Sequence, residues 1–225
     1  MDELAKPPSK FNTALYALIS TPIYLAVMIW LEGGWGATLA KPMPAGALLV
    51  TLIAGIISCF SDGNLSMGVK HDEADKRSLY ALIVLNLLGG LLPAFFDGRG
   101  LWPIDGEPVR QAGLVVYTLG TIARMVPVFV LGNRFSGLVA IQPGHTLVTT
   151  GVYCKVRNPS YLGLVLMNFG WAMAFNAWAG VLCAVLMIPP LIARINAEER
   201  MLASQFGDEF AAWKARTWRL IPWVY

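Results

Sequence analysis

Four stretches of this chain are too apolar and too long for an ordinary soluble core. They are residues 14–31 (ALYALISTPIYLAVMIWL), 45–60 (AGALLVTLIAGIISCF), 79–96 (LYALIVLNLLGGLLPAFF) and 111–132 (QAGLVVYTLGTIARMVPVFVLG). Each approaches the roughly 20 residues a helix needs to cross a bilayer core. Lipid cannot hydrogen-bond an open strand, so helices are the only reading. Pro22, Pro93 and Pro127 lie inside three of the runs. They predict kinks that neighbouring helices must accommodate.

Two further runs, 159–175 (PSYLGLVLMNFGWAMAF) and 177–193 (AWAGVLCAVLMIPPLIA), meet at Asn176. They predict a helical hairpin almost without a loop. At 1.5 Å per residue each arm spans about 25 Å, marginal against a core of about 30 Å. From Arg194 to Trp213, Ile195, Leu202, Phe206, Phe210 and Trp213 recur at helical spacing. That stripe predicts an amphipathic cytoplasmic helix leaving the membrane and lying back on the protein or the interface. The fold class is therefore an all-α membrane protein. It has five to six transmembrane helices, the last two a tight hairpin, in one domain, 1–225.

Composition agrees. Hydrophobic residues make up 56% and charged residues 14%, against about 25% charged in a soluble domain. The net charge of +3 reads as membrane-orienting charge, and no long basic stripe suggests nucleic acid. With the N-terminus cytoplasmic, that side receives Lys6, Lys10, Lys70, Lys76, Arg77, Arg134, Lys155, Arg157 and the basic tail; Lys41, Arg99 and Arg110 face the other side. This obeys the positive-inside rule and puts both termini in the cytoplasm. The polar start MDELAKPPSKFN and the lack of a small-residue cleavage pattern argue against a cleaved signal peptide. The compact loops suggest a multi-pass protein of a bacterial inner membrane. Cys59, Cys154 and Cys183 form no CxxC spacing, so neither a disulfide framework nor a zinc site is expected.

Few side chains offer chemistry. Glu199 falls on the apolar face of the tail stripe, between Ile195 and Leu202. A carboxylate there requires a protein partner or a bound ligand. Glu198 is four residues after Arg194 and can pair with it or stay solvated. Arg124, within an apolar run, faces a cavity or snorkels to the interface. His145 lies in a loop rich in Gly, Pro and Thr. Two histidines are too few for a membrane di-iron site, and His71 beside Asp72, Glu73 and Asp75 reads as a solvated loop. No metal site is expected. GxGxxG, GxxxxGK[ST] and nucleophile-elbow motifs are absent.

The last third is more specific. GHTLVTTGVYCKVRNPSYLG, an apolar hairpin, then RINAEERMLASQFGDEFAAWKARTWRLIPWVY resembles the isoprenylcysteine carboxyl methyltransferase family and its phospholipid-methyltransferase relatives. The shared pattern is G-x-Y-x-x-x-R-[HN]-P-x-Y-x-G, an E-E pair, F-G-x-x-[FY] and R-x-I-P. It covers about 120–225, the expected catalytic core; residues 1–110 match only as membrane helices. The resemblance implies S-adenosylmethionine as cofactor. Its shell would comprise His145, Leu147, Val148, Gly151, Tyr153, Arg157, Asn158, Pro159, Tyr161, Glu198 and Glu199. Arg194 matches the family's arginine near the methyl-transfer point, and with Glu199 and the intramembrane Arg124 it makes up the expected catalytic residues. At positions 158, 154 and 152 the family favours His, a basic residue and Pro; this chain has Asn158, Cys154 and Val152.

The resemblance implies methyl transfer to a carboxylate of a lipid-like or prenylcysteine-type substrate that enters from the membrane. One alternative is N-methylation of phospholipid ethanolamine headgroups, which needs a base to deprotonate the ammonium. Another is a non-catalytic or reductase-type membrane relative.

Overall fold

The computed structural model describes residues 10–60, 73–131 and 147–225. Eight helices follow one another there: α1 Lys10–Glu32, α2 Trp35–Leu39, α3 Pro42–Ser58, α4 Glu73–Gly98, α5 Glu107–Leu131, α6 Pro159–Ala174, α7 Trp178–Leu186 and α8 Ile188–Ala215. All four runs read first from the sequence are helical. Pro22, Pro93 and Pro127 sit inside α1, α4 and α5 as expected. Four segments are long and apolar enough to cross a membrane: Ala14–Glu32, Arg77–Gly98, Glu107–Leu131 and Trp178–Ala215. α3 has 17 residues and α6 has 16, about 25 Å each.

The hairpin turns at Asn176, a non-glycine residue at φ 51°. Asn176 accommodates this because its short side chain tolerates the left-handed region and is anchored: its Oδ1 accepts Asp105 N at 2.9 Å. The second arm differs from expectation. α7 ends after nine residues and only Met187 separates it from α8. Met187 itself keeps right-handed helical angles. The arm and the tail helix are thus nearly one rod, and the break comes later, at Gly207 (φ 47°). The short α2 gave no periodic signal in the sequence.

The tightest packing joins α5 to α6. A Cβ at Gly113, Gly120, Gly163 or Gly170 would fall under 3.0 Å from backbone of the facing helix. The partners run in antiparallel register: Gly113 meets Ala174, Tyr117 meets Gly170, Gly120 meets Met167, and Arg124 meets Gly163. Glycines seven apart on each helix return to the same face, so the two backbones touch over about three turns. Beside this seam lies the main core: Met28, Ile29, Ala47, Leu48, Ala94, Tyr117, Trp171, Ala174 and Phe175. Its polar atoms are paired, Trp171 Nε1 with Gly90 O at 3.0 Å and Tyr117 OH with Thr51 Oγ1 at 2.7 Å.

Large apolar side chains cover the outside instead. Ile23, Ile83, Leu119 and Leu182 are each about half exposed, as lipid-facing residues are. One end of the bundle carries Trp30, Trp35, Trp102 and Trp178, all at least 44% exposed, the aromatic belt of a membrane interface. The same end buries a charge cluster. Lys41 Nζ reaches Glu32 at 2.5 Å and Asp97 at 3.2 Å, and Arg110 holds Asp97 at 2.5 Å. Arg99 joins this end by donating to Leu31 O at 3.3 Å, so Lys41, Arg99 and Arg110 share one end of the molecule.

Candidate active site

The opposite end begins at Gly151, whose φ of +61° suits glycine. A single 3₁₀ turn, Gly151–Cys154, follows. Residues 155–158 then run alongside 218–219. Trp218 N donates to Lys155 O at 2.9 Å, Arg157 N to Trp218 O at 2.8 Å and Asn158 N to Arg219 O at 3.2 Å. Pro159 takes the first turn of α6, where its missing N–H costs nothing.

Two polar constellations flank this turn, and the adjacent carboxylates of α8 divide between them. Glu199 is 6% exposed and faces cations of the protein. Arg157 Nε donates to its Oε1 at 3.0 Å, and Arg219 donates twice, Nε to Oε1 at 3.2 Å and Nη2 to Oε2 at 2.6 Å. Lys214 Nζ lies 3.7 Å away. The hydrogen bond to Glu199 holds the Arg219 guanidinium above its usual range. Arg157 also donates to the carbonyls of Lys214 and Thr217. Of the two possibilities open for Glu199, a partner or a ligand, the fold supplies the partner. The cluster staples residues 214–219 to the start of α6.

Glu198 points elsewhere. The Tyr161 hydroxyl donates to its Oε1 and accepts from Arg194 Nε at 2.7 Å. Arg194 pairs with Glu198 at 3.7 Å, one turn apart, the pairing the spacing predicts. Arg194 is 3% exposed. Arg124 joins this group from α5. Its Nη1 donates to Ser160 Oγ at 2.6 Å and Ser160 O at 3.3 Å. It does not snorkel. The close approach at Gly163 sets it beside the start of α6, and its charge interacts with Tyr161, Glu198 and Arg194.

Tyr153 completes the wall. It is buried against Phe210 and Trp213, with Leu147, Val148, Leu202 and Phe206 packed around them. Burial, together with the Glu198 carboxylate, pushes its phenol well above the ordinary range. Asn158 spends its side-chain N–H on Arg219 O at 3.1 Å. A histidine ring N–H, the family's commoner choice, can make the same kind of bond. Thus Arg124, Tyr153, Tyr161, Arg194 and Glu198 gather at one place, whereas Arg157, Asn158 and Glu199 hold the tail. His145, like the His71 loop, lies outside the described residues. Ser160, Lys214, Thr217 and Arg219 carried no sequence signal of a role, although Arg219 stands in the R-x-I-P ending.

Comparison with known proteins bears on this region. The family model of the isoprenylcysteine carboxyl methyltransferase (ICMT) family matches residues 113–204, from the first seam glycine to the middle of α8. Over these residues the chain resembles that family. Protein-S-isoprenylcysteine O-methyltransferase of Rattus norvegicus is 34% identical over 119 residues, covering 52% of this chain and 42% of the rat protein. Protein-S-isoprenylcysteine O-methyltransferase B of Arabidopsis thaliana is 32% identical over 119 residues, 52% of this chain and 60% of the plant protein. The chain thus spans roughly half the length of these curated ICMT-family relatives. A solved structure of the eukaryotic intramembrane Ras methyltransferase ICMT matches over 96% of this chain and 73% of that one, at 19% identity and a TM-score of 0.49, a likeness too loose to build on.

Proposed function

We propose that this chain is an S-adenosylmethionine-dependent integral membrane methyltransferase that esterifies a carboxylate on a lipid-like, prenylcysteine-type substrate. The observation that carries the reading is the grouping of Arg124, Tyr161, Arg194 and Glu198 within the family-matched segment. It sets the Arg194 guanidinium, bonded to Tyr161, and the Arg124 guanidinium, bonded to Ser160, beside the Glu198 carboxylate. The two guanidiniums are held at the end of an apolar bundle, where they can orient an incoming carboxylate.

The donor set fits the cofactor. The Glu198 side chain, 26% exposed, can accept from an ammonium or ribose hydroxyls. Tyr153 and Tyr161 offer an aromatic wall and a hydroxyl. Leu147 and Val148 line the approach, and Gly151, Arg157, Asn158 and Pro159 shape the turn beneath it; His145, outside the described residues, is proposed for the same shell. When bound, S-adenosylmethionine supplies a methyl group on a sulfonium. The acceptor carboxylate is ionised at neutral pH, so this chain need supply no base. Arg194, fixed through the Tyr161 hydroxyl, and Arg124, fixed through Ser160, orient that carboxylate. The neighbouring lipid-facing helices keep water scarce, so the task is alignment. Glu199 acts at one remove, by holding residues 214–219 against the turn.

The test is transfer of labelled methyl from S-adenosylmethionine by the purified chain to a small prenylcysteine with a free carboxylate and, separately, to phosphatidylethanolamine. Label that base releases from the prenylcysteine product supports the ester. Base-stable label in the ethanolamine headgroup replaces it with N-methylation. Failure of the chain to bind S-adenosylmethionine by calorimetry rejects both methyltransferase readings.

A further inference from the structure

The last turn of the described chain is folded, yet among the described residues its apolar side chains stay largely uncovered. Tyr225 N donates to Ile221 O, and Leu220 N and Ile221 N both donate to Tyr225 O, at 2.9–3.0 Å. The rings of Trp218 and Trp223 sit 5.1 Å apart, and Trp223 is held in the left-handed region at φ 64°. Arg219 Nη1 donates to Tyr225 OH at 2.7 Å, and Leu220 packs on the Leu82, Met187, Leu191 and Ile195 cluster. From this rigid base Ile221, Trp223 and Val224 project with 46%, 81% and 76% exposure. An ordered turn displaying a contiguous apolar surface marks an interaction site.

Its position says what covers it. The turn is bonded to residues 155–158, directly before Pro159. α6 spans about 24 Å, less than the hydrocarbon core, and its other end lies in the belt with Trp102 and Trp178. Its first residue therefore lies within about 6 Å of the opposite headgroup boundary, and residues 218–225, bonded beside it, reach that boundary. The rim is basic: Lys155, Lys214 and Arg216 are all exposed. The nearest exposed acids along α8, Asp208 and Glu209, stand just after the Gly207 break and more than one helical turn before Lys214. Aromatic rings seated at the headgroup level, beside cations, match an anionic leaflet.

We infer that residues 218–225 form an interfacial foot that inserts Ile221, Trp223 and Val224 into the leaflet next to the site, while Lys155, Lys214 and Arg216 bind anionic phospholipid headgroups. The occupant is the lipid surface itself. This inference stands independently of the methyltransferase reading.

The experiment places the full chain in nanodiscs of phosphatidylcholine, with and without phosphatidylglycerol, some carrying brominated acyl chains. The difference in tryptophan emission between the wild type and Trp223→Phe isolates Trp223. The expected difference spectrum is blue-shifted and is lost on brominated lipid. It becomes less quenched without phosphatidylglycerol, and also in the combined Lys155→Gln, Lys214→Gln and Arg216→Gln variant. Trp223→Phe keeps an aromatic ring against Trp218, so the turn stays folded. A red, unquenched, water-like difference spectrum overturns the inference. So does a blue spectrum that brominated lipid leaves unchanged, which assigns the surface to a second copy of the chain. Quenching indifferent to phosphatidylglycerol overturns the anionic-headgroup part.

Discussion

Replacing Glu199 with Gln should release the tail. In the wild type the carboxylate is bonded to Arg157 and Arg219, with side-chain exposures of 6%, 8% and 20% respectively. None is wet enough for solvent to screen the pair away. Removing one partner of a buried pair costs about 3–5 kcal/mol, because the remaining charge stays buried and unpaired. Glutamine keeps one acceptor oxygen, and Lys214 at 51% exposure contributes little. The lower value, about 3 kcal/mol, therefore applies. That raises the open population of residues 214–225 roughly a hundredfold. Trypsin cleavage between Arg219 and Leu220 reports it, since the clamped guanidinium cannot enter a protease pocket until the staple opens. With fast reclosing, the cleavage rate follows the open population. The expected result is a roughly hundredfold faster loss of residues 220–225 from Glu199→Gln by mass spectrometry, with Glu198→Gln unchanged. An acceleration under about threefold, or one equal in both variants, refutes the division of labour between the two glutamates.

Tyr161→Phe removes the hydroxyl joining Arg194 to Glu198. Hydrogen bonds to charged groups contribute about 1.5–3 kcal/mol, so kcat/KM for methyl transfer should fall ten- to a hundredfold, with cleavage at Arg219 unaltered. Gly170→Ala places a Cβ 2.6 Å from Tyr117 Cα and should cost about 1–3 kcal/mol of overpacking. The Tm should drop by several degrees, whereas Gly36→Ala, with nothing within 4 Å, should not lower it. Asn158→His should preserve tail protection within about threefold, because a ring N–H replaces the amide donor to Arg219 O. Asn158→Ala, losing about 1 kcal/mol of hydrogen bonding, should raise cleavage at Arg219 about fivefold.

Helices were legible because lipid leaves the backbone one solution. The runs around Pro22, Pro93 and Pro127 are all helical, and the turn at Asn176 falls where the two apolar runs meet. Periodicity also located Glu199 on a buried face. It could not say that Arg219, twenty residues on, would fill the need, since nothing in a stripe of apolar residues reports where an irregular tail returns. Arg124 shows the same limit. Its cost in an apolar run was plain, but its bond to Ser160 depends on Gly163 letting α6 approach. α7 and α8 merge because Met187 keeps helical angles ahead of Pro189 and Pro190, which sit in the first turn that tolerates proline.

The seam between α5 and α6 has an evolutionary consequence. Gly46, Gly55, Gly89 and Gly90, in α3 and α4, face side chains of their neighbours, and side chains can be exchanged for others of compensating size. The glycines between α5 and α6 face main chain, and main chain offers no such exchange. Apart from Gly98, where α4 also meets α1 main chain, a lineage altering this scaffold is thus freer to rebuild α1–α4 while the pair that carries Arg124 and Tyr161 stays fixed in register. The segment recognisable in distant relatives opens at Gly113, where that rigid ruler begins.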